Sequence, residues 1–572
     1  GRGVTMPEVI TDNLDLWSSA LLTKSTAGRG SNGKQQAYGI KKLRELILEL
    51  AVRGKLVPQE PNDEPASELL KRTIAEKKRL IKEDVIRQAK EPALADETPD
   101  HKLPGSWVWT NLYSIGEIAP RNEEEDVVDS SFVPMQSISE KYGVPVQHEV
   151  KTWSEIKSGF THFREEDVVL AKITPCFQNG KSAVMRGLTN GFGAGTTELH
   201  VYRTINACTV PEYVLVYLKS PRFISDGIPK MTGTAGQKRI TRDYFAGNHF
   251  PLPPLAEQHR IVAKVDELMA LCDRLEQQQK HSLEAHQTLV ETLLGTLTRV
   301  ASPQELNEAW TRIASHFDTL FTTEHSIDQL KQAILQLAVM GKLVLQDPND
   351  EPASVLLERI AKRRAELENE GKLKKQPQFP DVANQEMLGD LPTGWELVRF
   401  GAITFNRDSE RIPLSVEERR GRQGEYDYYG ASGVIDSIDD FLFDKPLLLI
   451  GEDGANLINR STPIAFMARG KYWVNNHAHV LDGLTEDLLL YVCLHINAIT
   501  LEPYVTGTAQ PKMNQAKMNS ITLALPPIEE QKRIVAKVDE LMALCDALKV
   551  RLADAQTTQL HLADAIVEQA IC

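Results

Sequence analysis

The sequence reads RIVAKVDELMALCD at residues 260–273 and repeats the same letters at 533–546. The match extends upstream, from PLPPLAEQHR at 251–260 in the first copy and LALPPIEEQKR at 523–533 in the second. Ile261, Val265, Leu268, Cys272 and Leu275 alternate spacings of four and three, a heptad seam. Ile534, Val538, Leu541, Cys545 and Leu548 repeat it. Pro253-Pro254 and Pro526-Pro527 bar a helix upstream, so the helices are predicted to start near Leu255 and Ile528. Glu257 and Glu530 then fall in the first turn, where negative charge suits the helix dipole. Continued towards Leu297, the first helix is roughly 40 residues, or about 60 Å long. Such a seam packs either inside one domain or as a spacer coiled coil. The large variable segments flanking each copy favour the spacer.

A second box is duplicated too: AVRGKLVPQEPNDEPASELL at 51–70 and AVMGKLVLQDPNDEPASVLL at 338–357. The match begins earlier, with IKKLRELILEL at 40–50 answering IDQLKQAILQL at 327–337. LPGSWVW (103–109) is echoed by LPTGWEL (391–397), and TGTAGQK (232–238) by TGTAQPK (506–512). The chain is therefore a tandem duplication. The regions between, 105–250 and 396–522, hold short apolar runs broken by Gly, Asn and Pro, and one helix each is predicted at 211–223 and 485–498. The expected fold is mixed α/β (α+β): two globules separated by long antiparallel coiled-coil helices, with a pseudo-two-fold axis. The expected domains are an N-terminal helical region (1–104) with a mobile polar linker at 24–38, a first globule (105–254), a central region with the long helix (255–390), a second globule (391–527) and a C-terminal helix (528–572).

At 572 residues the chain exceeds one core. Its 41% hydrophobic and 25% charged content is that of a soluble globular protein. The longest apolar runs fall far short of the ~20 residues of a membrane span, and no leader is evident, so a cytoplasmic location is expected. Six cysteines form no CxxC pair, which argues against zinc and against a disulfide framework. A net charge of −14 disfavours nonspecific nucleic-acid binding but allows locally clustered basic residues.

The boxes YGIKKLRELILELAVRGKLVPQEPNDEPASELL and PPLAEQHRIVAKVDELMALCD, together with two unlike globules, resemble the specificity subunit of type I restriction–modification enzymes, in its second (IB-like) subfamily. The resemblance covers the chain from Leu14 onward and is strongest in the repeats. It implies that each globule is a target-recognition domain reading one half of a split double-stranded DNA site. It further implies that the helices hold the readers apart and bind two methyltransferase subunits, which two restriction (motor) subunits join. S-adenosylmethionine, ATP and magnesium then belong to those partners, with no cofactor, metal or membrane for this chain. Two readers on one face would meet half-sites about one helical turn, about 34 Å, apart. On this reading the ruler is duplicated while the readers are free to diverge.

No catalytic constellation stands out. PCFQNGKS (175–182) ends like a phosphate loop, but Pro175 occupies the position of its first glycine. GFGAG (191–195) lacks the strand–turn–helix frame of a dinucleotide site. The PP pairs follow Leu252 and Leu525, not the asparagine with which an amino-methyltransferase holds its base. NNHAH (475–479) lacks a third metal ligand. Bases are read by Arg, Lys, Asn, Gln, Ser and Thr, and phosphates are held by basic groups. The loop after each TGTA turn concentrates such groups: Gln237, Lys238, Arg239, Thr241 and Arg242 in the first globule, and Gln510, Lys512, Asn514, Gln515 and Lys517 in the second. Further candidates are Lys172, Thr174, Gln178, Asn179 and Lys181, then Tyr428, Tyr429, Ser432, Asn456, Asn475, Asn476 and His477, with Arg121 and Arg407 as phosphate clamps. Solvated loops and core packing are the plain alternatives for all of them. A scaffold joining two protein-binding globules without touching DNA is the rival function.

Overall fold

In the computed structural model both repeated segments are single helices, Leu255–Arg299 of 45 residues and Ile528–Ile571 of 44 residues. They start directly after the proline pairs, as expected. The structure describes residues 6–24, 34–94, 101–205, 207–300, 303–375, 382, 391–507 and 510–571. Of the stretch 24–38 read as a mobile linker, residues 25–33 lie outside these. Its ends are not linker: Leu21–Lys24 and Lys34–Ala37 are strands, and a helix begins at Tyr38.

The chain divides into two units. One comprises the described residues within Gly1–Leu22, Gln35–His281 and Gln556–Cys572; the other comprises those within Thr23–Lys34 and Ser282–Ala555.

In the first unit the box helix Tyr38–Val52 buries Ile40, Leu43, Leu46, Ile47 and Leu50 in one core with the seam residues Ile261, Val265, Leu268 and Cys272. Polar contacts fix the directions. Arg44 reaches Asp273 at 2.6 Å and Glu276 at 2.8 Å, while Gln59, just past the box helix, reaches Glu257 at 2.5 Å, so the start of the first long helix runs antiparallel to the box helix. Tyr38 donates to Asp564 at 2.8 Å, and Arg53 to the Ile571 carbonyl at 3.1 Å, so the end of the second long helix runs parallel to it. The two long helices are therefore antiparallel here, with the box helix as a third member.

The second unit is built alike around its own box helix, Glu324–Val339. Gln329 bonds Glu291 at 3.1 Å and Lys342 bonds the Val300 carbonyl at 2.7 Å, on the end of the first long helix. Lys549 meets Asp328 at 2.5 Å, Lys331 meets Asp546, and Arg533 meets Asp350 at 2.5 Å, on the start of the second.

The globules share one topology. In the first, a four-stranded sheet runs Glu149–Thr152, Asp129–Val133, Phe192–Gly195, Thr161–Arg164, with only the middle pair parallel. A second, antiparallel sheet runs Gly116–Ile118, Leu199–Thr204, Val168–Ala171, Ser182–Val184. The second globule repeats both, with Gln423–Gly430 and Lys471–Val474 as its parallel pair, and Phe405–Asn406, Ala478–Asp482, Leu447–Gly451, Ala465–Ala468 as its antiparallel sheet. Each globule opens and closes on one strand pair, Val108–Thr110 with Phe250–Leu252 and Glu396–Arg399 with Thr522–Leu525. The helix expected over 211–223 breaks: Pro211–Lys219 ends at Ser220, which caps Pro221–Gly227. A proline pushes the residue before it into extended backbone, and Ser220 obeys with ψ 141°. The helix of the second globule, Glu486–Ala498, runs unbroken.

Among the described residues no helix is long and apolar enough to cross a membrane, and no cluster of His, Cys, Asp and Glu has metal-binding geometry. Five cysteines, 176, 208, 272, 493 and 545, are free.

Candidate nucleic-acid interface

In the first globule the strand Val168–Ala171 delivers a loop, 172–181, that is laced to the TGTA loop. The Ile240 N–H donates to the Lys172 carbonyl at 2.8 Å and the Thr174 N–H to the Lys238 carbonyl at 2.9 Å. The Thr174 hydroxyl donates to the same Lys238 carbonyl at 2.8 Å. Thr232 and Arg239 exchange backbone bonds of 2.9 and 2.8 Å, closing the TGTA hairpin. Gln178, Asn179, Gln237 and Lys238 are exposed on this double loop. Arg239 is gripped by Glu198, with Nε to Oε2 at 2.9 Å and Nη2 to Oε1 at 2.8 Å. That hydrogen bonding holds the Glu198 carboxyl below the usual range.

The second globule repeats the lacing with different side chains. The Met513 N–H donates to the Glu452 carbonyl at 2.8 Å, the Gly454 N–H to Pro511 at 3.0 Å, and Thr506 and Lys512 exchange bonds of 2.9 and 2.8 Å. Lys172, Thr174, Lys238 and Ile240 thus correspond to Glu452, Gly454, Pro511 and Met513. Where the first globule sets Arg239 on Glu198, the second sets Lys512 on Glu452 at 3.1 Å. Gln510, Lys512, Asn514, Gln515 and Lys517 are all exposed.

Each double loop is also fastened from behind to a helix of its own globule, Pro211–Lys219 in the first and Glu486–Ala498 in the second, with reversed polarity. In the first globule buried Lys219 donates to the carbonyls of Gly180 at 2.9 Å, Ser139 at 3.1 Å and Glu140 at 3.1 Å; burial pushes its ammonium down to about 7. In the second the loop supplies the donor: Arg460 reaches the carbonyls of Ile496 at 3.2 Å and Ile499 at 2.5 Å. One histidine stands beneath each loop. His200 meets the Ile240 carbonyl at 3.1 Å, and His479 the Met513 carbonyl at 2.9 Å.

The structure thus gathers Lys172, Thr174, Gln178, Asn179, Lys181, Gln237, Lys238 and Arg239 on one surface, and Gln510, Lys512, Asn514, Gln515 and Lys517 on its counterpart. Two of the candidates have local duties. The Thr241 hydroxyl caps the helix Arg242–Gly247, and Asn514 caps Gln515–Asn519. Arg242 bonds the Lys90 carbonyl at 3.0 Å. Ser432, Asn476 and His477 are exposed, with His477 2.8 Å from Asp453. Tyr429 is half-buried, stacked on Phe466 at 5.9 Å.

Four candidates are corrected. Tyr428 is 1% exposed, its ring in the core and its hydroxyl accepting from the Leu414 N–H at 3.0 Å. Asn475 is buried, and its side chain accepts from the His477 N–H at 2.8 Å. Asn456 spends its amide on Ser461 and Thr462. Arg407 is held by Glu410 and, at 3.1 Å, by Asp482, two carboxylates that cancel the charge a phosphate clamp needs. Arg121 is exposed beside the acidic run 123–126, its guanidinium 3.5 Å from His162, and keeps its place as a candidate. Sequence reasoning missed Glu198, His200, Lys219, Asp408, Glu452, Arg460 and His479. NNHAH (475–479) is the one visible signal, and it reads as an incomplete metal motif and as DNA contacts through Asn475, Asn476 and His477, with no role given to His479 beneath the loop.

The family model described as type I restriction modification DNA specificity domain matches residues 104–285 and again 392–554. The chain is 45% identical over 592 residues to the type I restriction enzyme EcoAI specificity subunit of Escherichia coli, covering 99% of this chain and 100% of that protein. It is 46% identical over 596 residues to the EcoEI specificity subunit of Escherichia coli, with the same coverage. The crystal structure of the HsdS subunit from Thermoanaerobacter tengcongensis aligns with a TM-score of 0.45 at 19% identity, covering 82% of this chain and 98% of that one. This chain therefore belongs to the type I restriction modification DNA specificity family, carries the domain twice in tandem, and is a DNA-specificity subunit.

Proposed function

We propose that the chain reads a bipartite, asymmetric sequence in double-stranded DNA, one half with each globule, taking the recognition domains as 105–254 and 391–527. The residues proposed to touch DNA are those of the laced loops: Gln178, Asn179, Lys181, Gln237, Lys238 and Arg239 in the first globule, and Gln510, Lys512, Gln515 and Lys517 in the second. The observation that carries this reading is the shared backbone lacing under unlike side chains. One scaffold presents two loops at matching positions, and what each loop displays differs, as reading two different half-sites requires. The long antiparallel helices act as a ruler between the readers. The two near-identical boxes offer one patch twice, which fits two copies of a methyltransferase subunit, with two restriction subunits completing the complex. S-adenosylmethionine, ATP and magnesium enter with those partners, and the complex works in the cytoplasm.

The test is binding of the full chain, alone and with its partner subunits, to the DNA sequence methylated in cells that carry them. Tight, salt-sensitive binding to that duplex and weak binding to a scrambled one supports the reading. Equal binding to both supports the scaffold instead.

A further inference from the structure

We propose that His479, held doubly protonated between Asp408 and the Met513 carbonyl, is a positioning residue that fixes the 510–517 loop, so that reading by the second globule fades in alkaline solution. The inference rests on the reading of DNA by these loops and names a device beneath one of them.

The geometry dictates the protonation. His479 is 2% exposed, with Nδ1 2.6 Å from Asp408 Oδ2 and Nε2 2.9 Å from the Met513 carbonyl. A neutral imidazole has one N–H, and both of these partners are acceptors, so only the imidazolium satisfies them. The carboxylate is itself fixed: Asp408 Oδ1 accepts the Val480 N–H at 2.8 Å, and Oδ2 also accepts from Asn406 at 3.0 Å.

The other charged groups around the ring form a balanced cluster. Arg411 bonds Glu452 at 2.9 Å and lies 3.5 Å from Asp408; Glu452 lies 3.9 Å from His479 and 3.1 Å from Lys512. His477 pairs with Asp453 at 2.8 Å, and Asp482, further along the strand, takes Lys445 at 2.7 Å and Arg407 at 3.1 Å. Burial opposes charge on His479, but the hydrogen bond and attraction of Asp408 outweigh it and raise its pKa above the ordinary value.

When His479 loses its proton, the one that remains stays with the carboxylate. The Met513 carbonyl then faces a lone pair, and the loop loses its anchor beside the Thr506–Lys512 rung. The histidine of the first globule has no such dependence; the titratable anchor there is Lys219, whose ammonium burial brings down to about 7. His200 serves the Ile240 carbonyl with a single N–H while its ring stacks on Phe245 at 5.0 Å, and burial pushes its pKa down to about 4. It is neutral, and its anchor holds, throughout the range in which His479 titrates.

A folded-state pKa raised above the unfolded value gives a contribution that is present at low pH and lost as pH rises through it. The experiment uses the full chain and three duplexes: the target identified by methylation mapping, and the target with either half scrambled. Affinities are measured between about pH 6 and about pH 9, a window spanning the titration of a raised histidine. The penalty for scrambling the second half should shrink about tenfold as pH rises, the size of one lost charge-assisted hydrogen bond, while the first-half penalty follows Lys219 and should be the same in His479→Gln as in the unaltered chain. His479→Gln should make the second-half penalty small at every pH, and Asp408→Asn should move the midpoint of its loss to lower pH; melting curves establish that each variant folds. A second-half penalty independent of pH in the unaltered chain, a first-half penalty changed by His479→Gln, or an unmoved midpoint in Asp408→Asn overturns the inference and leaves DNA reading intact. If neither scramble weakens binding at any pH, the reading falls with it.

Discussion

The indole N–H of Trp107 donates to the buried carboxylate of Glu257 at 2.9 Å, and Trp395 makes the same bond to Glu530 at 3.0 Å. Each pair joins two duplicated motifs, the LP…W segment and the PP-x-x-E-Q helix start. The third motif, PNDEP, closes the joint through Asp63 on Arg260 at 2.6 Å and Asp350 on Arg533 at 2.5 Å. The repeats were therefore kept together for a physical reason: they touch one another. Glu257 and Glu530 are 0% and 1% exposed, and burial raises both carboxyls although the indole bonds work against the shift.

Trp107→Phe keeps most of the buried ring and deletes one donor, leaving a buried carboxylate short of a partner. The expected cost is about 1.5–3 kcal/mol, the range for hydrogen bonds to charged groups, read by urea unfolding. Trp395→Phe should cost the same in the other unit. A cost near zero for both would mean that the joints do not hold the helices to the globules.

Gly54 and Gly341 stand in the repeated box at φ +68°, where a Cβ would lie 2.5 Å from Pro104 and 2.6 Å from Pro392. Gly54→Ala or Gly341→Ala should destabilise by at least about 1–2 kcal/mol from the left-handed backbone alone, before the clash is counted. Gly295, inside the long helix, meets nothing within 4 Å. Gly295→Ala should instead stabilise by about 0.5–1 kcal/mol. Melting temperatures of the three variants check both signs.

What could be read from the sequence follows from how local each signal is. The prolines at 253–254 and 526–527 and the heptad spacing placed both long helices to within a few residues, because helix starts and seams are periodic and local. The loops after each TGTA turn were also legible as a cluster of donors. Which of those donors face outward was not. YDYYGASG (426–433) reads equally as a binding turn or as a strand end packed on the core, and it is the second: Tyr428 points into the core and Tyr429 packs on Phe466, since a strand's alternation does not say which face is covered. Glu257 reads as a helix-dipole partner, but its stronger tie, to Trp107, lies 150 residues away in sequence. The groups that hold the loops from behind are dispersed in the same way. Lys219 and Gly180 come from different elements and meet only in the folded globule.

On the proposed reading, Lys238 and Lys512 are exposed phosphate contacts on equivalent hairpins. Lys238→Ala and Lys512→Ala should each weaken binding without changing which sequence is preferred. Each should also reduce the slope of log affinity against log salt by about one. A change of preferred base in either variant would move that lysine from phosphate to base contact.

If the helices measure the gap between half-sites, lengthening both should lengthen the gap. Inserting seven helical residues after His281 and seven after Ala555 adds about 10 Å to each helix, and the unread spacer should grow by about three base pairs. Sequencing of methylated sites reads the outcome. An unchanged spacer would mean that something other than these helices sets it.

The most direct measurement exchanges one reader. Residues 396–522 are replaced by the equivalent segment of another family member, and the methylated sequence is mapped in cells carrying the hybrid chain with its partners. The account predicts a new second half-site joined to the old first half-site at the old spacing. A site altered in both halves, or in neither, would contradict it.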